Sequence, residues 1–79
     1  MYLHIGNGYL LNKNFIIGIF DIDSLKKVNS YITLIKGVES VKDISNRCEK
    51  TLILTIEDGA IVAYISNIAS STIASRNSL

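Results

Sequence analysis

The sequence has no proline, no tryptophan and a single cysteine, Cys48. One thiol closes no internal disulfide. With one histidine, His4, it also falls short of the roughly four Cys, His or acidic ligands that a structural zinc site requires. No apolar run approaches the roughly 20 residues that span a bilayer. The longest have six residues, Phe15 to Phe20 with Gly18 inside it among them. The opening residues Met1-Tyr2-Leu3-His4 offer neither a basic n-region nor an apolar h-region, so they do not read as a signal peptide. A lone thiol fits a reducing compartment, and the expected location is the cytoplasm. Charge is scarce at 19%, with a net charge of +1, but 48% of the residues are hydrophobic and the mean hydropathy is +0.32. That composition excludes disorder.

The 79 residues and 8.7 kDa allow one domain, 1–79. A chain this short buries only about 60–65% of its unfolded surface, and its core contributes roughly 3–5 kcal/mol of net stability. Disulfides and metals, the usual supplements, are missing. Self-association remains, and low net charge removes the usual barrier to it. A homo-oligomer larger than a dimer is expected.

Charge is unevenly spread. Residues 1–23 hold Lys13 against Asp21 and Asp23, a net of −1. Residues 24–50 hold Lys26, Lys27, Lys36, Lys42, Arg47 and Lys50 against Glu39, Asp43 and Glu49, a net of +3. Residues 51–79 hold Arg76 against Glu57 and Asp58, a net of −1. The middle third is the only basic region, too weakly so to hold a polyanion as one copy, but able to do so when repeated around an oligomer.

Tyr2 to Ile5 and Tyr9 to Leu11 read as a hairpin around Gly6-Asn7-Gly8. Phe15 to Phe20 reads as a strand buried on both faces, central in the sheet or at an interface, with Gly18 suggesting a bulge or a close backbone approach. Asp21 to Ser24 supplies helix N-caps. Leu25, Val28, Ile32 and Ile35, spaced 3, 4 and 3 apart, form one helical stripe and predict a helix over about 24–36, closed by Gly37. Val41 to Ile44 suggests a short strand and Ser45-Asn46 a turn. Thr51 to Glu57 alternates as a strand. Asp58-Gly59 is a two-residue hairpin turn with φ > 0 at both positions. Ala60 to Ile65 returns, and a short helix lies within Ser66 to Arg76. The fold class is therefore α+β: a small, mainly antiparallel sheet with one central and one C-terminal helix.

No constellation points to an enzyme. His4 has no nucleophile or carboxylate in a motif around it. Cys48 lies between Arg47 and Lys50, which favour a thiolate, but nothing else marks it as reactive. Asp21-x-Asp23 and Glu57-Asp58 fall where a helix cap and a turn need them. Gly6-Asn7-Gly8 lacks the third glycine and the βα setting of a dinucleotide fingerprint, and no P-loop is present. Arg47 and Lys50 differ: they flank a polar turn leading into a strand, where cations meet phosphates well. Lys26 and Lys27 read as a solvated helix face.

Several segments, in order and spacing, resemble the small bacterial RemA/RemB regulators of extracellular-matrix (biofilm) genes, the RemB branch most closely. They are Met1-Tyr2-Leu3-His4-Ile5-Gly6, Ile16-Ile17-Gly18-Ile19-Phe20-Asp21, Lys50-Thr51-Leu52-Ile53-Leu54-Thr55, and Tyr64-Ile65-Ser66 with Ser70-Ser71-Thr72-Ile73. The resemblance implies a cytoplasmic DNA-binding transcription regulator. It would act as a ring-like homo-oligomer of protomers shaped like LytTR-type domains, without cofactor, metal or membrane. It also implies a DNA contact at Arg47; with the reading of the residues above, the candidate contacts are Arg47 and Lys50, with Lys13 next. Cys48 stands where the family has a second arginine, and only Lys13 stands near the arginine expected around Asn14 or Phe15. The alternative expectation is a non-enzymatic assembly or adaptor protein of the same fold. It would act through protein partners, a paralogous regulator among them, with little DNA affinity.

Overall fold

The structure, a computed structural model, describes residues 1–78. Strands β1 (Tyr2–His4) and β2 (Leu10–Asn12) pair antiparallel as a two-stranded hairpin around Gly6-Asn7-Gly8. A 3-10 turn, Lys13–Phe15, leads into β3 (Ile16–Asp21). Helices α1 (Ile22–Lys27) and α2 (Tyr31–Lys36) follow, then β4 (Ser40–Asp43), β5 (Thr51–Glu57), β6 (Ala60–Ser66) and α3 (Ser70–Asn77). The second sheet has four strands in the order β3-β5-β6-β4. It is antiparallel except where β4 runs parallel to β6. The expected α+β class is the observed one.

Period-2 alternation sorts the central strands into two faces. Ile53, Val62 and Tyr64 pack with Leu3, Ile5 and Leu11 of the hairpin and Ile73 of α3. Leu52, Ala63 and Ile65 pack with Ile22, Leu25, Tyr31, Leu34 and Ile35 of α1 and α2. Three layers result: hairpin and α3, sheet, paired helices. The fully buried hydroxyls of Ser45, Thr51, Thr55 and Ser66 are all bonded, whereas Asn67 Oδ1 is buried with no hydrogen-bond partner among the described residues. Ser66 Oγ donates to the carbonyl of Ile5 (2.6 Å) and Thr51 Oγ1 to that of Ile68 (2.6 Å), tying the sheet to the hairpin layer.

Two expectations are corrected. The helix over 24–36 is two helices. Asn29 takes φ 57°, and the amides of Asn29 and Ser30 donate to the carbonyls of Lys26 (3.1 Å) and Leu25 (2.9 Å). This is a Schellman cap, with Asn in the left-handed position that asparagine tolerates. The break also dissolves the predicted stripe: Val28 is 68% and Ile32 60% exposed. The second correction concerns β3, which is an edge strand rather than a central one. Its register shifts between Ile16 and Gly18, as the glycine suggests. The extra residue, Ile17, is 54% exposed, and the Phe20 ring lies where a Cβ on Gly18 would sit.

Candidate nucleic-acid interface

The segment between β4 and β5 is built as a braced turn. Asp43, ending β4, accepts hydrogen bonds from the amide (2.9 Å) and hydroxyl (2.6 Å) of Ser45, which is fully buried. These bonds hold the Asp43 carboxyl below the usual carboxylate range, the hydroxyl contributing most. Ser45 in turn accepts from the amide of Cys48 (3.1 Å) through its carbonyl. Between them Asn46 and Arg47 both have positive φ, 53° and 67°. A four-residue turn with both central residues at positive φ is type I′.

Neighbouring elements fix this turn on three sides. Asn7, from the hairpin turn, donates its side-chain amide to the carbonyl of Ile44 (2.7 Å). Lys50 joins the sheet through its backbone: its amide donates to Ser66 (2.9 Å) and its carbonyl accepts from Ile22 (3.0 Å). Glu49 reaches the helical layer, with Oε1 3.7 Å from Lys26 Nζ and Oε2 accepting from the Tyr31 hydroxyl (3.4 Å). Lys26 also lies 5.1 Å from the centre of the Tyr31 ring. Burial first, and then Glu49, push the Tyr31 hydroxyl above its usual range. Lys26 is thus engaged, although exposed, and differs from the purely solvated cation expected.

Arg47 and Lys50 are both exposed, on one braced segment. Among the described non-glycine residues with positive φ, Arg47 alone is neither Asn nor Asp. A side chain with a Cβ pays about 1–2 kcal/mol in that region, and Arg lacks the short polar group that offsets it. Lys13 lies elsewhere. Ile16 pairs with Thr55, so the turn carrying Lys13 sits towards the Glu57 end of β5, whereas Lys50 precedes Thr51 at the other. At about 3.3 Å per residue the two ends are roughly 20 Å apart. One chain therefore groups Arg47 with Lys50 and leaves Lys13 out.

The carboxylates of Asp21, Asp43 and Glu49 occupy the same end. Asp21 pairs opposite Thr51 and caps α1, accepting from the Ser24 hydroxyl (2.9 Å) and amide (3.0 Å). Those two bonds, the hydroxyl foremost, hold its carboxyl below the usual range. Sequence reasoning had located Arg47 and Lys50 but not the bracing by Asp43, Ser45 and Asn7. Asp43-x-Ser45 is a local signal for such a turn; the reach of Asn7 across 37 positions has none. Among the described residues no three His, Cys, Asp or Glu side chains gather as metal ligands, and no helix is long and apolar enough to cross a membrane. A scan against protein-family models finds no match for the chain, and a search of curated proteins finds none either.

Proposed function

We propose that the chain is a cytoplasmic transcription regulator that binds duplex DNA as a homo-oligomer, as its resemblance to the RemA/RemB family implies, with no catalytic role. The observation that carries the reading is Arg47: an exposed cation held in left-handed backbone by a turn braced from the sheet, the hairpin and the helices. Folding gains nothing from arginine there, whereas a phosphate or base contact does. Lys50, three residues on and fixed through its backbone, supplies a second cation. Lys13 joins them only if a neighbouring copy brings its opposite sheet end alongside. Repetition around a ring supplies the affinity that one copy lacks.

The alternative, an adaptor of the same fold acting through a protein partner such as a paralogous regulator, is favoured by the carboxylates of Asp21, Asp43 and Glu49 beside these cations. The salt dependence of binding to duplex DNA separates the two. Each phosphate contact contributes about 0.9 to the slope of log affinity against log salt. The double variant Arg47→Ala, Lys50→Ala should lower both affinity and slope. Lys27→Ala, Lys36→Ala removes the same formal charge from the helices and should change neither comparably. No binding by the parent protein at about 50 mM salt, where such contacts are strong, would replace this reading with the adaptor.

A further inference from the structure

The four-stranded sheet ends in two edges with no strand beyond them among the described residues, β3 and β4, and β3 is the unusual one. β3 reads Ile-Ile-Gly-Ile-Phe-Asp. Natural edge strands are blunted by charges, proline or brevity, because unpaired backbone groups recruit other strands. β3 has one bulge and no charge before Asp21, its last residue. Phe15 and Ile17, on this edge, and Ile56, on the neighbouring strand, are exposed. At the opposite edge, β4 is short and carries Lys42 and Asp43; it pairs with the most buried strand in the molecule, and all four of its residues are exposed, Val41 among them.

We propose that these two edges pair with each other between copies of this chain, β3 of one copy against β4 of the next. The second copy is singled out by strand direction. β3 runs antiparallel to β5, β5 antiparallel to β6, and β6 parallel to β4, so β3 and β4 point the same way. A neighbour placed by the same step each time therefore continues the sheet in parallel register, a pairing that needs no crossover when it joins separate chains. The contact is heterologous, so it consumes both edges of every copy and closes into a ring or runs on. A β3-to-β3 dimer would leave every β4 open. The pairing covers Ile17 and Val41 together and provides the supplement that a chain of 79 residues without disulfide or proline lacks. It deepens the functional reading above and rests on its homo-oligomer.

Light scattering after size exclusion of the full chain at micromolar concentration tests it, with Ile17→Lys and Val41→Lys as variants. The expected result is a parent oligomer larger than a dimer, with each lysine variant alone reduced to a species near 8.7 kDa. In case a lysine variant fails to fold, cysteines decide independently. Positions 17 and 41 lie on opposite edges, three strand spacings or about 14 Å apart, too far for a disulfide within one chain. In a Cys48→Ser background, Ile17→Cys with Val41→Cys should give a disulfide-linked ladder on mild oxidation, and neither substitution alone should. A monomeric parent overturns both the inference and the oligomer it rests on. A parent oligomer that survives either lysine in a folded chain overturns the inference alone. So do linked dimers formed by Ile17→Cys by itself.

Discussion

Two turns of this molecule share a backbone and differ in chemistry. Asp58-Gly59 joins β5 to β6 with φ 52° and 81°, and Asn46-Arg47 joins β4 to β5 with φ 53° and 67°. The first uses the residues that its dihedrals ask for. It needs no help, and nothing lies within 4 Å of the Cβ position of Gly59. The second places arginine where glycine belongs and is held by Asp43, Ser45 and Asn7. One turn is present because it folds; the other folds because its surroundings compel it. Strain of that kind at an exposed cation is what the contact proposed for Arg47 would account for.

Breaking the relaxed turn should have the largest effect. Gly59→Val places a β-branched side chain at positive φ, which costs about 2 kcal/mol. For a domain of this size the melting temperature should fall by roughly 8–16 °C. Because the Cβ has open space, the loss comes from the backbone alone, and calorimetry would reveal an error in the turn assignment as an unchanged melting point.

Relaxing the strained turn should have the opposite sign. Arg47→Gly relieves about 1–2 kcal/mol and gives back about 0.5–1 kcal/mol to glycine's freedom in the unfolded chain. The net is a gain of about 0.5 kcal/mol, or 2–4 °C in melting temperature. DNA binding should weaken in the same variant. A variant more stable and less active separates the two purposes of residue 47; one that is less stable would place Arg47 in the fold rather than the site.

The smallest effect is acid sensitivity. The Asp43 carboxyl titrates lower in the folded chain than in the unfolded one, because Ser45 donates two hydrogen bonds to it. Its contribution is therefore complete above about pH 4 and is lost as pH falls through the folded value. Urea unfolding between pH 3 and 6 should show a shallower acid decline in Asp43→Asn than in the parent. Equal declines would remove Asp43 as the brace.

Local chemistry was legible in the sequence where it was sufficient. Thr51 to Glu57 alternates by face, Asp58-Gly59 turns, Asp21 caps a helix and Gly18 marks a bulge, each as its residue type requires. Where two local signals competed, the weaker was overlooked: the 3-4-3 spacing of Leu25, Val28, Ile32 and Ile35 runs straight across Asn29, whose left-handed conformation ends α1. The apolar run of β3 shows that it wants cover, but not that β5 supplies cover on one side only. In the site, Arg47 and Lys50 were legible because they are neighbours in sequence. The separation of Lys13 depends on the pairing of Ile16 with Thr55, a non-local register that composition does not carry. Ser45-Asn46 signals the turn, but no residue type there places Arg47 at positive φ, so the strain at Arg47 is visible only in the backbone.

The Schellman cap at Asn29 has a further consequence. It leaves α1 and α2 with six residues each, about half the length at which a helix begins to hold in water by itself. Neither has an existence apart from the surface of Leu52, Ala63 and Ile65 against which both pack. The helical layer is thus conditional on the sheet: it forms when that surface is complete, and whatever loosens the surface releases Ile22 to Lys36 together, taking with it the anchor that Lys26 and Tyr31 provide for Glu49.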